Sequence, residues 1–117
     1  MSGCVVHHAN AGGEDPVQAA ARFLADELPA VIAKLLGGAD VLVAFPVAGW
    51  EHTDWRRTLA RDLARGHAPE RRVNVTATDD AQALAALVAF LDRTPGVTGQ
   101  YLPLHDQPTK ANRTGAA

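Results

Sequence analysis

"ADVLVAFP", residues 39–46, has no polar side chain between Asp40 and Pro46. A strand with one wet face alternates apolar and polar residues. An unbroken apolar run of this length therefore predicts a strand covered by helices on both faces, the habit of parallel sheets. It is expected to be the central strand, and the chain on either side is read relative to it. Upstream, "CVVHHA" (4–9) is a short first strand. Asp15, Pro16 and Gln18 then form a helix start, with an acceptor at the cap, proline at the first helical position and a reciprocal residue three after the cap. Val17, Ala21, Leu24, Leu28, Val31 and Leu35 fall on one stripe at helical spacing. Pro29 must kink or divide that helix because it has no N–H to donate, and Gly37–Gly38 end it.

Downstream, a helix is predicted from Thr53 to about Arg65. Trp55, Leu59 and Leu63 point inward, Arg57, Arg61 and Arg65 form an outer ridge, and Gly66 closes the helix. "RRVNVTAT" (71–78) alternates Val73, Val75 and Ala77 with polar partners, as a strand does, and Asp79 with Gln82 suggests the next cap. The third helix runs through 80–93, and "TGQYLPL" (98–104) is a last strand, placed at a sheet edge by Pro103. The order βαβαβαβ predicts an α/β domain with a small, mainly parallel sheet of about four strands, flanking helices and right-handed crossovers.

At 117 residues the chain holds one domain, expected over 1–105, with a polar, flexible C-terminal tail at 106–117. It is 47% hydrophobic and 21% charged, with a formal net charge of −2. That balance gives no field for gathering phosphates or anionic lipid, so neither nucleic acid nor a membrane is expected as a partner. The single cysteine, Cys4, cannot form an internal bridge. No apolar run is long enough to cross a bilayer and no signal-peptide pattern is present, so a cytoplasmic location is expected.

"RRVNVTATDDAQALAALVAFLDRTPGVTGQYLPLHD" (71–106) resembles the C-terminal part of short-chain dehydrogenases/reductases, with their "RVN" strand, "A…V.FL" helix and "VTGQ" ending. "ADVLVAFPVAG" more faintly resembles the family's mid-sheet "DVLVNNAG" strand and turn. The whole chain is similar to small bacterial Rossmann-fold domain-containing proteins that share the "ARFLADELPAV" helix and the "GVTGQYLPL" ending. The resemblance implies a small Rossmann-like three-layer sandwich of a shortened, degenerate kind.

It also implies where chemistry should reside. Hydride transfer in that family uses a tyrosine, a lysine four positions later that lowers its pKa, and a serine that orients the carbonyl. Here Tyr101 is followed four positions on by His105, the one serine is Ser2, and the two lysines are Lys34 and Lys110. Gly12 and Gly13 are adjacent rather than spaced as a dinucleotide turn, and Glu14 and Asp15 stand where a pyrophosphate would sit. No cofactor is therefore expected.

Two functional readings follow. The third helix carries no charge between Asp80 and Asp92, and Ala85, Ala86, Ala89 and Phe90 lie opposite its Leu84, Leu87, Val88 and Leu91. A helix apolar all round is buried all round, so this outer face, with Tyr101 and Leu102 beside it, is expected to be an interface. The partner would be a second copy or a full-length dehydrogenase, giving a homodimer or hetero-oligomer through the 80–93 helix and 98–104 strand. In the family it resembles, this helix and strand pair subunits.

The alternative is a small enzyme or ligand binder using the 46–57 loop at the C-terminal rim of the sheet. Its acid–base candidates are His52, Asp54 and Glu51, and Trp50, His8 and His105 would line its pocket. The same rim would gather His8, His52 and His105 with Asp54, Asp79 and Asp106. No pair has ligand spacing such as His-x-x-x-His, so no metal is expected. Without the family's triad, the chain is read as leaning away from catalysis.

Overall fold

The computed structural model describes residues 4–10 and 13–104. Its elements are β1 (Val5–His8), α1 (Pro16–Asp26), α2 (Leu28–Leu36), β2 (Val41–Phe45), a 3-10 turn (Trp50–His52), α3 (Thr53–His67), β3 (Val73–Ala77) and α4 (Ala81–Asp92). The strands form a parallel sheet in the order β1-β2-β3, with Val41 in register with Val5 on one side and Val73 on the other. The unbroken run of β2 is indeed central, and all of its residues are buried. Their side chains alternate between two apolar layers. Val41, Val43 and Phe45 join α1–α3, whereas Leu42 meets Leu87 and Leu91 of α4. The architecture is a three-layer α/β sandwich.

Residues 98–104 run parallel to the free side of β3, but only Tyr101 forms a regular bridge there, opposite Val75, so the sheet has three strands rather than four. Backbone hydrogen bonds still join the segment to β3, from the Gly99 N–H to the Val73 carbonyl, from the Val75 N–H to the Gln100 carbonyl, and from the Leu102 and Leu104 N–H groups to the Val75 and Ala77 carbonyls. Side chains add to them. The Thr98 hydroxyl accepts from the Val73 N–H at 3.0 Å, and the Thr76 hydroxyl donates to the Leu102 carbonyl. Gly99 turns through φ +76° between them. The crossovers cannot all share one hand. The chain steps in one direction across the sheet, yet α1–α3 cover one face and α4 the other, so the α4 crossover has the opposite hand to its two predecessors.

Three local expectations are corrected. Pro29 does divide the first helix, at Glu27, and that break separates the phases of its halves. Val31 and Leu35 of α2 are buried as expected, but α1 buries Ala19 and Phe23 instead and leaves Val17 and Leu24 exposed. Gly66 does not stop α3, which continues to His67. The cap of α4 is Asp80, whose carboxylate accepts from the Gln82 and Ala83 N–H groups, while Asp79 accepts from the Val47 N–H at 3.2 Å. Among the described residues, no helix is long and apolar enough to cross a membrane.

Candidate functional site

α4 is positioned by its inner stripe. Leu87 and Leu91 are buried against Leu42, and Val6, Val97, Leu102 and Leu104 pack around them. Each fully buried side chain of this kind contributes about 1.5–3 kcal/mol, enough to fix which way the helix faces. The opposite stripe then points outward: Ala85, Ala86, Ala89 and Phe90 are all exposed, Phe90 by 43%. Leu102 shares the α4 side of the sheet. Tyr101 does not. It packs into the α1–α3 layer, where its hydroxyl lies 3.5 Å from a guanidinium nitrogen of Arg56.

At the C-terminal ends of the strands a second region forms. A cleft of about 280 Å³ is lined by His8, Ala44, Phe45, Thr78, Asp79 and Leu84 among others. His8 is the one pocket candidate from the sequence that reaches it, since Trp50 lies exposed on the 3-10 turn and His105 is outside the described residues. Of the acid–base candidates, Glu51 and Asp54 line one shallow hollow beside Leu24 and Trp55, and His52 does not join them. His52 is buried, and its Nδ1 accepts from the Trp55 indole N–H at 3.0 Å. The Asp54 carboxylate points to solvent beside Arg57, and Glu51 is exposed. Trp55 is a core anchor, packed against Phe23 and Phe45. At the start of α1, Asp15 accepts from the Gln18 N–H and Glu14 pairs with Arg22. Among the described residues, no group of three or more His, Cys, Asp or Glu side chains could hold a metal ion.

Three arrangements escaped the sequence. A groove of about 600 Å³ runs between α1 and α3, floored by Leu24, Leu28, Trp55, Leu59 and Leu63. Its signal was present in the exposed phase of α1, but the continuous stripe through Pro29 hid it. Arg56 is fully buried, although its neighbour Arg57 lies on the outer ridge. The third joins β1 to the α1–α2 junction. His7 Nε2 lies 3.1 Å from Glu27 Oε1, and the Lys34 ammonium lies 2.8 Å from His7 Nδ1. The second Glu27 oxygen accepts from the Asn10 N–H at 3.1 Å. These residues stand 20 and 27 positions apart, a separation no local pattern reveals. Cys4 is also shielded. Burial first, then the Asp92 and Asp40 carboxylates, push its thiol up to about 11.

The parallel sheet, the α4 layer and the segment returning beside β3 are the features on which a family assignment can rest. The family model of short chain dehydrogenase-like proteins matches residues 7–104. The chain belongs to the short chain dehydrogenase-like family. The match takes in α1–α3 as well as the C-terminal motifs through which the sequence resembled short-chain dehydrogenases. No curated protein and no solved structure matched the chain. In this short chain dehydrogenase-like domain the "RVN" asparagine, Asn74, has a clear structural task. It donates to the Val97 carbonyl and accepts from the Gln100 N–H, tying β3 to the "VTGQ" segment.

Proposed function

We propose that this short chain dehydrogenase-like domain works by association, pairing with a second copy through the outer face of α4 and the neighbouring Leu102. One observation carries the reading: Ala85, Ala86, Ala89 and Phe90 are all exposed on a helix without a charge between its ends. A continuous apolar face of this kind is costly in water, and its alanines allow close approach of a second helix about a two-fold axis. In an antiparallel crossing, Asp80 at the start of α4 would stand near Arg93 of the partner subunit, and the two helix dipoles would oppose. Catalysis is outside this reading, because the sequence has no serine-tyrosine-lysine arrangement.

The test is solution mass by light scattering. Wild type should show twice the 12.3 kDa chain mass, and Ala86→Arg or Phe90→Glu should return it to the chain mass with the fold retained. A wild-type monomer at micromolar concentration would overturn the homodimer. The rim cleft beside His8 is the alternative site, and titration of NAD or NADP against tryptophan fluorescence tests it. Saturable quenching would favour a ligand-binding role over association.

A further inference from the structure

We propose that Lys34 is a nucleophilic amine, with His7 as its general base and Glu27 as the residue that orients the base, and that it is acylated by thioesters. The proposal is independent of the association surface, since α2 lies on the opposite face of the sheet from α4. A nucleophile in hydrogen-bond reach of a base, which a third group holds in place, is the arrangement that activates serine, cysteine and amine nucleophiles alike. Here the distances are 2.8 Å from Lys34 Nζ to His7 Nδ1 and 3.1 Å from His7 Nε2 to Glu27 Oε1.

The proton positions follow from the partners. A lysine ammonium only donates, so His7 Nδ1 must accept and Nε2 must carry the ring hydrogen, which it donates to Glu27. That is the tautomer a base needs when it faces an amine. Glu27 is itself held by the Asn10 N–H, and the backbone of Lys34 is fixed where its carbonyl accepts from the Ala39 N–H at 3.1 Å. His7 and Glu27 side chains are only 11% and 12% exposed, so water competes little for either hydrogen bond. Lys34 is half-buried near the end of α2. A histidine that merely needed satisfying could rest between two neutral groups. His7 instead lies between the lysine nitrogen and a carboxylate, which is the order of nucleophile, base and orienting group that the proposal requires.

In the reaction, the amine that has passed its proton to His7 attacks the thioester carbonyl. A carbon–nitrogen bond forms, the carbon–sulfur bond breaks, and the thiolate leaves. The extra proton on the attacking nitrogen goes to the departing thiolate, which leaves as the free thiol, and His7 releases the lysine's first proton to solvent. The product is an Nε-acyl-lysine amide, with no oxidation or reduction. Acylation removes the lysine charge and two of its three N–H donors, so the link from β1 to α2 is weakened by the same event.

The chain has two lysines, and Lys34 is compared with Lys110 in the native protein and again in urea, where each reacts as an unfolded amine. The protein is treated with the acetyl thioester of N-acetylcysteamine at neutral pH, and acetylation at each lysine is followed by peptide mass spectrometry. General-base assistance contributes typically 10² or more, so Lys34 should react at least about tenfold faster than Lys110 in the folded protein and equally fast in urea. His7→Gln should abolish that advantage while keeping the melting temperature. Glutamine can still accept from Lys34 and donate to Glu27, but it has no basic nitrogen. Glu27→Gln retains an acceptor without the charge and should lose most of the advantage, giving a second reading should the His7 variant unfold. Equal rates for Lys34 and Lys110 in the native protein, or an undiminished Lys34 rate in folded His7→Gln, would overturn the proposal.

Discussion

The central carbon of the Arg56 guanidinium lies 4.4 Å from the centroid of the Phe45 ring, with Trp55 at 5.7 Å on another side. A fully buried arginine is expensive to desolvate, and these rings, with the Pro46 carbonyl at 3.2 Å, are among the groups that offset the cost. The side chain fills space at the C-terminal end of β2 as much as it carries charge. Arg56→Ala should therefore lower stability by about 3 kcal/mol through the void it leaves, whereas Arg56→Met, of similar length, should cost nearer 1 kcal/mol. Urea denaturation of the two variants separates the contributions. Equal losses would mean that charge, not volume, dominates.

Asn74 is the second test of how the core is joined. Its amide makes two hydrogen bonds, 3.0 Å to the Val97 carbonyl and 3.1 Å from the Gln100 N–H, in a place almost closed to water. Asn74→Leu would leave both backbone groups without that partner, at a cost of about 2–3 kcal/mol. Hydrogen exchange should speed up at Gln100 and Leu102 before it does in β2. A variant as stable as wild type, with unchanged exchange there, would contradict the assigned task.

What the sequence revealed, and what it hid, follow from the range of the interactions. Val41–Phe45 announced a covered central strand because burial on both faces is written directly into residue type. Asp15 and Pro16 announced a helix start because capping is local. β3 was legible as a strand from the alternation of Val73, Val75 and Ala77 with polar residues. Asn74 and Thr76 are in fact buried, because each bonds the segment returning after α4. The outer face of α4 was legible from its lack of charge. The His7, Glu27 and Lys34 cluster and the burial of Arg56 were not, since both depend on packing between distant elements.

Cys4 supplies a pH test. Its thiol is pushed up to about 11 from an ordinary 9.0, chiefly by burial and then by Asp92 and Asp40. The folded state therefore holds the proton more tightly than the unfolded chain. The associated stability is fully present below the unfolded value and is lost as pH rises through the interval between 9.0 and about 11. Cys4→Ser, which does not ionise in this range, should flatten that decline. At pH 8 the folded thiol should react with a disulfide reagent much more slowly than in urea. Equal rates in the two states would show that the site is open.

Gly99 carries the last prediction, and it concerns why the closing motif contains glycine. Its φ of +76° lies in the left-handed region that side chains with a Cβ resist. A Cβ built there would also stand 3.3 Å from the Ala64 Cβ on α3, so the segment could not relax by moving toward the helix. Gly99→Ala should cost about 1–2 kcal/mol from conformation and contact together, and Gly99→Val more, because a branched side chain fits the left-handed region worse. The turn also sets the Gly99 N–H on the Val73 carbonyl at 2.7 Å, so a change of conformation there would disturb the pairing beside β3. The paired variant Ala64→Gly with Gly99→Ala removes the contact but leaves the backbone strain. Recovery of the loss beyond what Ala64→Gly itself costs would assign the effect to packing. No recovery would assign it to φ.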